Sequence, residues 1–316
     1  MSEPTPRTAI TVLGSLNFDV LFSVDALPEQ GETRAARSFS FECGGKGANQ
    51  AAQAALLGAS VHMVGAVGDD PVGHHLVNRL QSSGVDVQRI RVVSAPTGVG
   101  VVTYLDSGSV AALIGPGANA ELSNEDLSTA EWCFDRSSVA LFQLESPVDL
   151  VAAGIRVAAE RGCRTVLNGA PAAPLPPDVF GAIDTFIVNE VEAAYYSQPP
   201  DASRSTPQEF NVLECGSSLR DRFQTNVVVT VGKEGCWGFE VSGSNWHVPA
   251  VTVRAVETTG AGDSFIGAFA VGLTRGMSYQ DCAQLGAVAA SITVTKVGAQ
   301  SAMPTRGMLR DKGFAL

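Results

Sequence analysis

The chain has 316 residues, 45% of them hydrophobic and 17% charged, which is enough apolar material for a large core and too little charge for a disordered chain. A formal net charge of −11 argues against broad electrostatic attachment to nucleic acid or anionic lipid, so a small anionic ligand has to be caught by local donors. Six cysteines (43, 133, 163, 215, 236 and 282) without C-x-x-C pairing, and four histidines without metal-ligand spacing, speak for free thiols and against a zinc site. No basic, apolar leader opens the sequence and no run of about 18 apolar residues occurs, so a cytoplasmic protein without membrane contact is expected.

After a short polar tail, residues 9–13 form a compact apolar run ending at Gly14, the pattern of a buried parallel strand meeting its loop. Further strands are predicted at 61–67, 139–144, 165–167, 185–188 and 227–231, and helices over 48–57, 72–81, 147–161, 190–196, 264–275 and 279–294. This alternation predicts an α/β fold over residues 1–316, a single domain built on a doubly wound, mostly parallel sheet flanked by helices. Two regions break it, about 18–42 and 97–115, the second reading as a hairpin around Asp106-Ser107-Gly108. They predict a small second β-sheet, either a lid over the strand ends, a dimer interface or an edge extension. Residues 197–211 are polar and proline-punctuated, the composition of a mobile loop, and a later hairpin contains Trp237.

The chemistry concentrates at strand ends. Residues 257–265, ETTGAGDSF, place a glycine turn and a carboxylate ahead of an apolar helix. The free N–H groups and positive dipole end of such a helix attract anions. There Asp263, kept ionised by nearby N–H groups, accepts a hydroxyl proton while the turn holds a phosphate; an ordinary N-cap reads the same. Asn17 and Asp19 in Gly14-Ser-Leu-Asn-Phe-Asp19 either bond vicinal sugar hydroxyls or are plain loop residues. In Gly44-Gly-Lys-Gly-Ala-Asn-Gln50 the diglycine admits a ligand to the backbone and Lys46 and Asn49 add polar contacts, unless this is only a tightly packed helix start. It is not a Walker A loop, and the first strand lacks a G-x-G-x-x-G turn, which weighs against a nicotinamide or flavin enzyme. Glu145 either meets a substrate hydroxyl or caps the segment before Pro147. Asn189 and Glu192 suit ordered water around magnesium, a phosphate contact, or equally a capping box. The glycines of Thr230-Val-Gly-Lys-Glu-Gly235 make room for a nucleotide or close a tight turn.

Together GSLNFD (14–19), GGKGANQ (44–50), GDDPVG (68–73), FQLESP (142–147), VNEVE (188–192), TVGKEG (230–235) and TTGAGDSF (258–265) resemble the PfkB family of carbohydrate kinases, most of all its ribokinase branch, over nearly the whole chain. The resemblance implies a ribokinase-like fold with a β-sheet lid and an ATP- and Mg2+-dependent transfer of the γ-phosphoryl group to a pentose hydroxyl, D-ribose to ribose 5-phosphate. It implies Asp263 as general base, with Gly260, Ala261 and Gly262 framing an anion hole. Asn17, Asp19, Gly45, Lys46, Asn49, Glu145 and Asp263 match the sugar site, Asn189, Thr230, Gly232 and Gly235 the ATP side, and Glu192 a magnesium-related carboxylate acting through water. A K+ site is implied at Glu257, Thr259, Thr293, Lys296 and Gly298, mostly through backbone carbonyls. There the chain departs from the family, which has Asp in place of Glu257 and Ser in place of Ala302; both changes weaken a site for a hard cation. A homodimer through the lid sheet is expected.

Three other readings stand beside this one. The first is a PfkB kinase for another sugar or a nucleoside (deoxyribose, fructose or adenosine). The second is a sugar-binding sensor without catalysis, against which Asp263 and its glycine turn argue. The third, a Rossmann oxidoreductase, lacks its fingerprint. Cys43, beside the diglycine, reads as a small buried residue.

Overall fold

The computed structural model describes residues 7–105, 110–198 and 210–314. The chain opens with β1 (Ala9–Leu13), leaves for β2 (Asn17–Val24) and β3 (Ser38–Gly44), and returns through α1 (Lys46–Leu56) to β4 (Val61–Gly68), α2 (Pro71–Ser82) and β5 (Val85–Val93). Then come β6 (Gly98–Leu105), β7 (Val110–Gly115), α3 (Asn124–Arg136), β8 (Ser137–Phe142), α4 (Val148–Glu160), β9 (Arg164–Asn168), β10 (Thr185–Asn189) and α5 (Glu190–Ser197). The last part holds α6 (Val212–Phe223), β11 (Asn226–Thr230), β12 (Cys236–Phe239), β13 (Asn245–Val248), α7 (Ala261–Thr274), α8 (Tyr279–Thr293) and α9 (Arg306–Arg310).

The main sheet runs β13-β12-β11-β10-β9-β8-β1-β4-β5, parallel from β5 to β11 and antiparallel in its last two pairings. Strand alternation feeds two apolar layers: Ile10 and Val12 of β1 join α1, α2, α7 and α8 on one face, and Leu13 joins α3, α4, α5 and α6 on the other. The chain reaches β4 and β8, the two neighbours of β1, by winding in opposite directions. The crevice at the carboxyl ends of β1 and β8 is therefore where such a sheet takes ligands.

The second sheet, ordered β3-β2-β6-β7, comes from the two regions that broke the alternation. Its register pairs Asp19 with Glu42 and Gly100, and Ser23 with Tyr104, so Asn17, Asp19, Glu42 and Tyr104 share one face. Phe39, Phe41 and Leu113 share the opposite face and are 62%, 58% and 75% exposed.

Several elements differ from expectation. The strand predicted at 139–144 runs from Ser137 to Phe142, because Leu144 already bonds to the Ala170 carbonyl outside the strand ladder. Helix α7 starts at Ala261 rather than 264, which draws Asp263 into its first turn. β5, α3 and α6 were not expected. The turn at 106–108 and most of the loop at 197–211 lie outside the described residues; the strands flanking that turn pair antiparallel.

Candidate active site

Gly45, the N-cap of α1, has φ 87°, and a Cβ there would stand 2.6 Å from the Asn17 amide nitrogen, so both conformation and space demand glycine. This turn aims the start of α1 at the crevice. The Lys46 N–H donates to Glu145 Oε2 at 3.0 Å, and the same oxygen accepts Ser15 Oγ at 2.5 Å and Asn17 Nδ2 at 3.4 Å. Glu145 thus closes the N-terminus of α1 across the sheet instead of capping its own segment, and these three bonds all end on Oε2. Asn17 is oriented in turn by Asn119 Nδ2, 2.8 Å from its Oδ1.

Asp19 lies between two glycine strands. A Cβ on Gly44 would sit 1.9 Å, and one on Gly100 2.3 Å, from its carboxylate oxygens. Burial, followed by the like charges of Glu145 and Asp263, pushes its pKa up to about 7.

Asp263 is 8% exposed and accepts two side-chain amides, Asn49 Nδ2 at 2.9 Å and Gln50 Nε2 at 3.0 Å. Burial outweighs these donors and the Lys46 ammonium, so its pKa is raised rather than held down as the helix-mouth reading expected. For Lys46 burial is the largest influence and acts downward, yet Asp263, Glu145, Glu192 and Asp19 together hold its pKa above the usual lysine value, so it stays charged. Gly260, at φ 72°, is the N-cap of α7. Its N–H and those of Gly262 and Asp263 have no acceptor among the described residues, whereas the Ala261 N–H is turned back onto the Thr258 carbonyl at 3.2 Å. The mouth of α7 therefore presents main-chain donors beside a buried carboxylate.

A cleft of about 240 Å³ joins Asp263 and Gly260 to Lys46, Asn189, Glu192 and Thr230. Asn189 and Glu192 do form a capping box at the start of α5. Glu192 Oε2 accepts the Asn189 N–H at 2.9 Å and Oε1 accepts Asn189 Nδ2 at 3.0 Å, while Asn189 Oδ1 accepts the Glu192 N–H at 2.9 Å. Glu192 lines the cleft and each of its carboxylate oxygens keeps a second lone pair, so a water-mediated contact to a nucleotide-borne Mg2+ fits. Among the described residues no cluster of three or more His, Cys, Asp or Glu could hold a metal by itself. Gly232 and Gly235 do not line this cleft. They close a tight turn in which a Cβ on Gly235 would stand 2.0 Å from the Val248 carbonyl oxygen.

Glu257, implied for a monovalent cation, has both carboxylate oxygens engaged by protein donors. Its Oε1 accepts the Tyr104 hydroxyl at 2.8 Å and its Oε2 the Gly298 N–H at 3.0 Å, while Ala302 offers no side-chain oxygen. The Thr293 hydroxyl lies 2.8 Å from Ser264 Oγ, and the Lys296 side chain is exposed. Tyr104 also bonds to Thr259 Oγ1, and burial, with Glu257 adding to it, raises its phenol to about 12.

Sequence reasoning missed the glutamines behind Asp263. Gln143 Nε2 donates to Gln50 Oε1 at 2.7 Å, which fixes Gln50 with its amide toward Asp263, and Gln300 Nε2 does the same for Asn49 Oδ1 at 3.2 Å. The one signal available was that Gln50 follows directly on Asn49 in the glycine motif and that Gln143 precedes Glu145 by two.

The fold is a ribokinase-like α/β fold, a nine-stranded, mostly parallel sheet with a four-stranded lid sheet. A model of the pfkB family of carbohydrate kinases matches residues 7–306, and the chain belongs to that family. Ribokinase of Haemophilus influenzae is 34% identical over 301 residues, 95% of this chain and 96% of the relative. Deoxyribokinase of Salmonella typhi is 32% identical over 298 residues, 94% and 95% of the two chains. Arabidopsis thaliana ribokinase, solved in complex with ribose and ATP, matches with a TM-score of 0.83 at 28% identity, over 96% and 98% of the two chains.

Proposed function

We propose that the chain is an ATP-dependent pentose kinase that converts D-ribose to ribose 5-phosphate, with Asp263 as general base. The observation that carries this reading is the mouth of α7, where a buried, amide-held carboxylate adjoins unpaired main-chain N–H groups in the cleft that also holds Lys46, Asn189, Glu192 and Thr230. The sugar lies against Asn17, Asp19, Gly45, Asn49 and Glu145. Its hydroxyl gives a proton to Asp263 as its oxygen attacks the γ-phosphorus and the bond to ADP breaks. A raised carboxylate pKa suits a base working near neutral pH. The N–H groups of Gly260 and Gly262, with the Lys46 charge, meet the negative charge on the transferred group. Mg2+ carried by the nucleotide would supply charge neutralisation there, and Glu192 is the residue that would hold its water. The lid and main sheet work as one unit across residues 1–316, in the cytoplasm, as a homodimer through the outer face of the lid.

Deoxyribose is the second reading, supported by the Salmonella typhi relative. Both are tested by coupled ADP release over ribose, deoxyribose, fructose, adenosine and a blank, each with and without potassium. Ribose is expected to give the highest kcat/KM. ADP release indifferent to every sugar, alongside calorimetric sugar binding, would point to a sensor instead. Asp263→Asn is expected to lower kcat by about 10² to 10⁴ with sugar binding within a few fold; full turnover in that variant excludes Asp263 as the base.

A further inference from the structure

The face of the lid that carries Asn17 and Asp19 also carries, on two different strands, the groups that reach the loop ahead of α7 and the loop after α8. On β6, Tyr104 donates to Glu257 Oε1 at 2.8 Å and bonds to Thr259 Oγ1, the residue directly ahead of the α7 N-cap. On β3, Glu42 Oε2 accepts the Ser301 hydroxyl at 3.2 Å. The two loops are tied to each other as well, because Glu257 Oε2 accepts the Gly298 N–H at 3.0 Å. Gly298 stands at φ 103°, where a Cβ would meet Ser301 Oγ at 2.1 Å and Glu42 Oε1 at 2.9 Å, so the join is built around a glycine. A carboxylate three residues ahead of Gly260 opposes an incoming phosphoryl group unless its charge is engaged, and here two donors, one from the lid and one from the second loop, engage it.

We propose that Tyr104 is a positioning residue for phosphoryl transfer: it latches the lid sheet to the anion-hole loop through Glu257, and its bond takes the place of a monovalent cation at that carboxylate. The proposal rests on the kinase reading above, and its consequence is that lid position and the geometry of Gly260 move together. While the lid is seated, Tyr104 holds Glu257 and Thr259 and the N-cap of α7 is set; when it lifts, the loop loses both bonds.

Tyr104→Phe keeps the ring and removes only the hydroxyl. In choline chloride and in potassium chloride the wild-type enzyme is expected to turn over at the same rate within about twofold. The variant is expected to lose about tenfold in kcat, the cost of one hydrogen bond to a charged group. Amide hydrogen exchange of 98–105, read by mass spectrometry without substrate, is expected to be faster in the variant than in the wild type. Wild-type acceleration above about fivefold by potassium, or wild-type kcat and exchange in the variant, overturns the latch. If the wild type phosphorylates no sugar, the kinase reading fails, while the exchange comparison still decides whether Tyr104 holds the lid.

Discussion

Asp19 is a carboxylate whose surroundings in the fold favour its protonated form. Its carboxylate is wedged against Gly44 and Gly100, and burial, then Glu145 and Asp263, raise its pKa from 3.8 to about 7. A folded-state value above the unfolded one means the fold prefers the protonated form. The stabilisation is complete below the unfolded pKa and is lost as pH rises through about 7. The free enzyme is therefore expected to lose thermal stability between about pH 4 and 7. Asp19→Asn, neutral throughout, flattens that slope; calorimetric melts in the absence of sugar measure it, and an identical slope in the variant rules Asp19 out as the source. Asp19, Lys46, Glu145 and Asp263 could be read from the sequence because each stands at a strand end or in a glycine motif, where chemistry is expected. Gln143, Gln300 and Tyr104 could not. Two are plain loop residues and one belongs to an otherwise apolar strand, and each acquires a role only when distant elements meet around Asn49, Gln50 and Glu257.

At the scale of elements, the site depends on how closely α1 settles on the turn after β1. A Cβ on Gly47 would stand 2.7 Å from the Gly14 carbonyl carbon and the Ser15 nitrogen, main-chain atoms with little room to yield. Gly47→Ala lifts the helix that carries Lys46, Asn49 and Gln50. The expected outcome is a loss of about 1–3 kcal/mol in denaturant unfolding, as for overpacking generally, and at least tenfold weaker sugar binding by calorimetry. Binding of a non-hydrolysable ATP analogue should change less than threefold, since Asn189 and Thr230 sit on other elements; unchanged sugar affinity removes the contact from the account. The buried parallel strands and the long apolar helices were legible because their periodicity is set by burial on both faces. β5 escaped because it is the edge strand, with Gln88 exposed and Asp86, Arg89 and Arg91 along its length. α6 escaped because Gly216 interrupts its helical pattern, and that glycine is there to admit the Phe239 ring, whose Cε2 would lie 2.0 Å from a Cβ.

For the whole molecule, the outer face of the lid exposes several large apolar side chains. Phe39 and Phe41 stand there in edge contact at 5.5 Å, Phe18 stacks on Phe41 at 5.4 Å, and Leu113 lies on the same face. A contiguous apolar face of this kind on a chain of net charge −11 is expected to be covered. A second copy of the same face is the occupant consistent with the proposed homodimer, and a two-fold axis lets each patch bury the other. Because the reverse of this sheet carries Asp19 and Tyr104, pairing two lids is expected also to stiffen the side proposed to meet sugar. Phe39→Ser with Phe41→Ser is therefore expected to convert a dimer into a monomer in sedimentation velocity at micromolar concentration and to raise KM for sugar about tenfold, with kcat less affected because the α7 mouth is untouched. A wild-type chain that sediments as a monomer at that concentration, or a double variant that stays dimeric, removes the lid face as the interface.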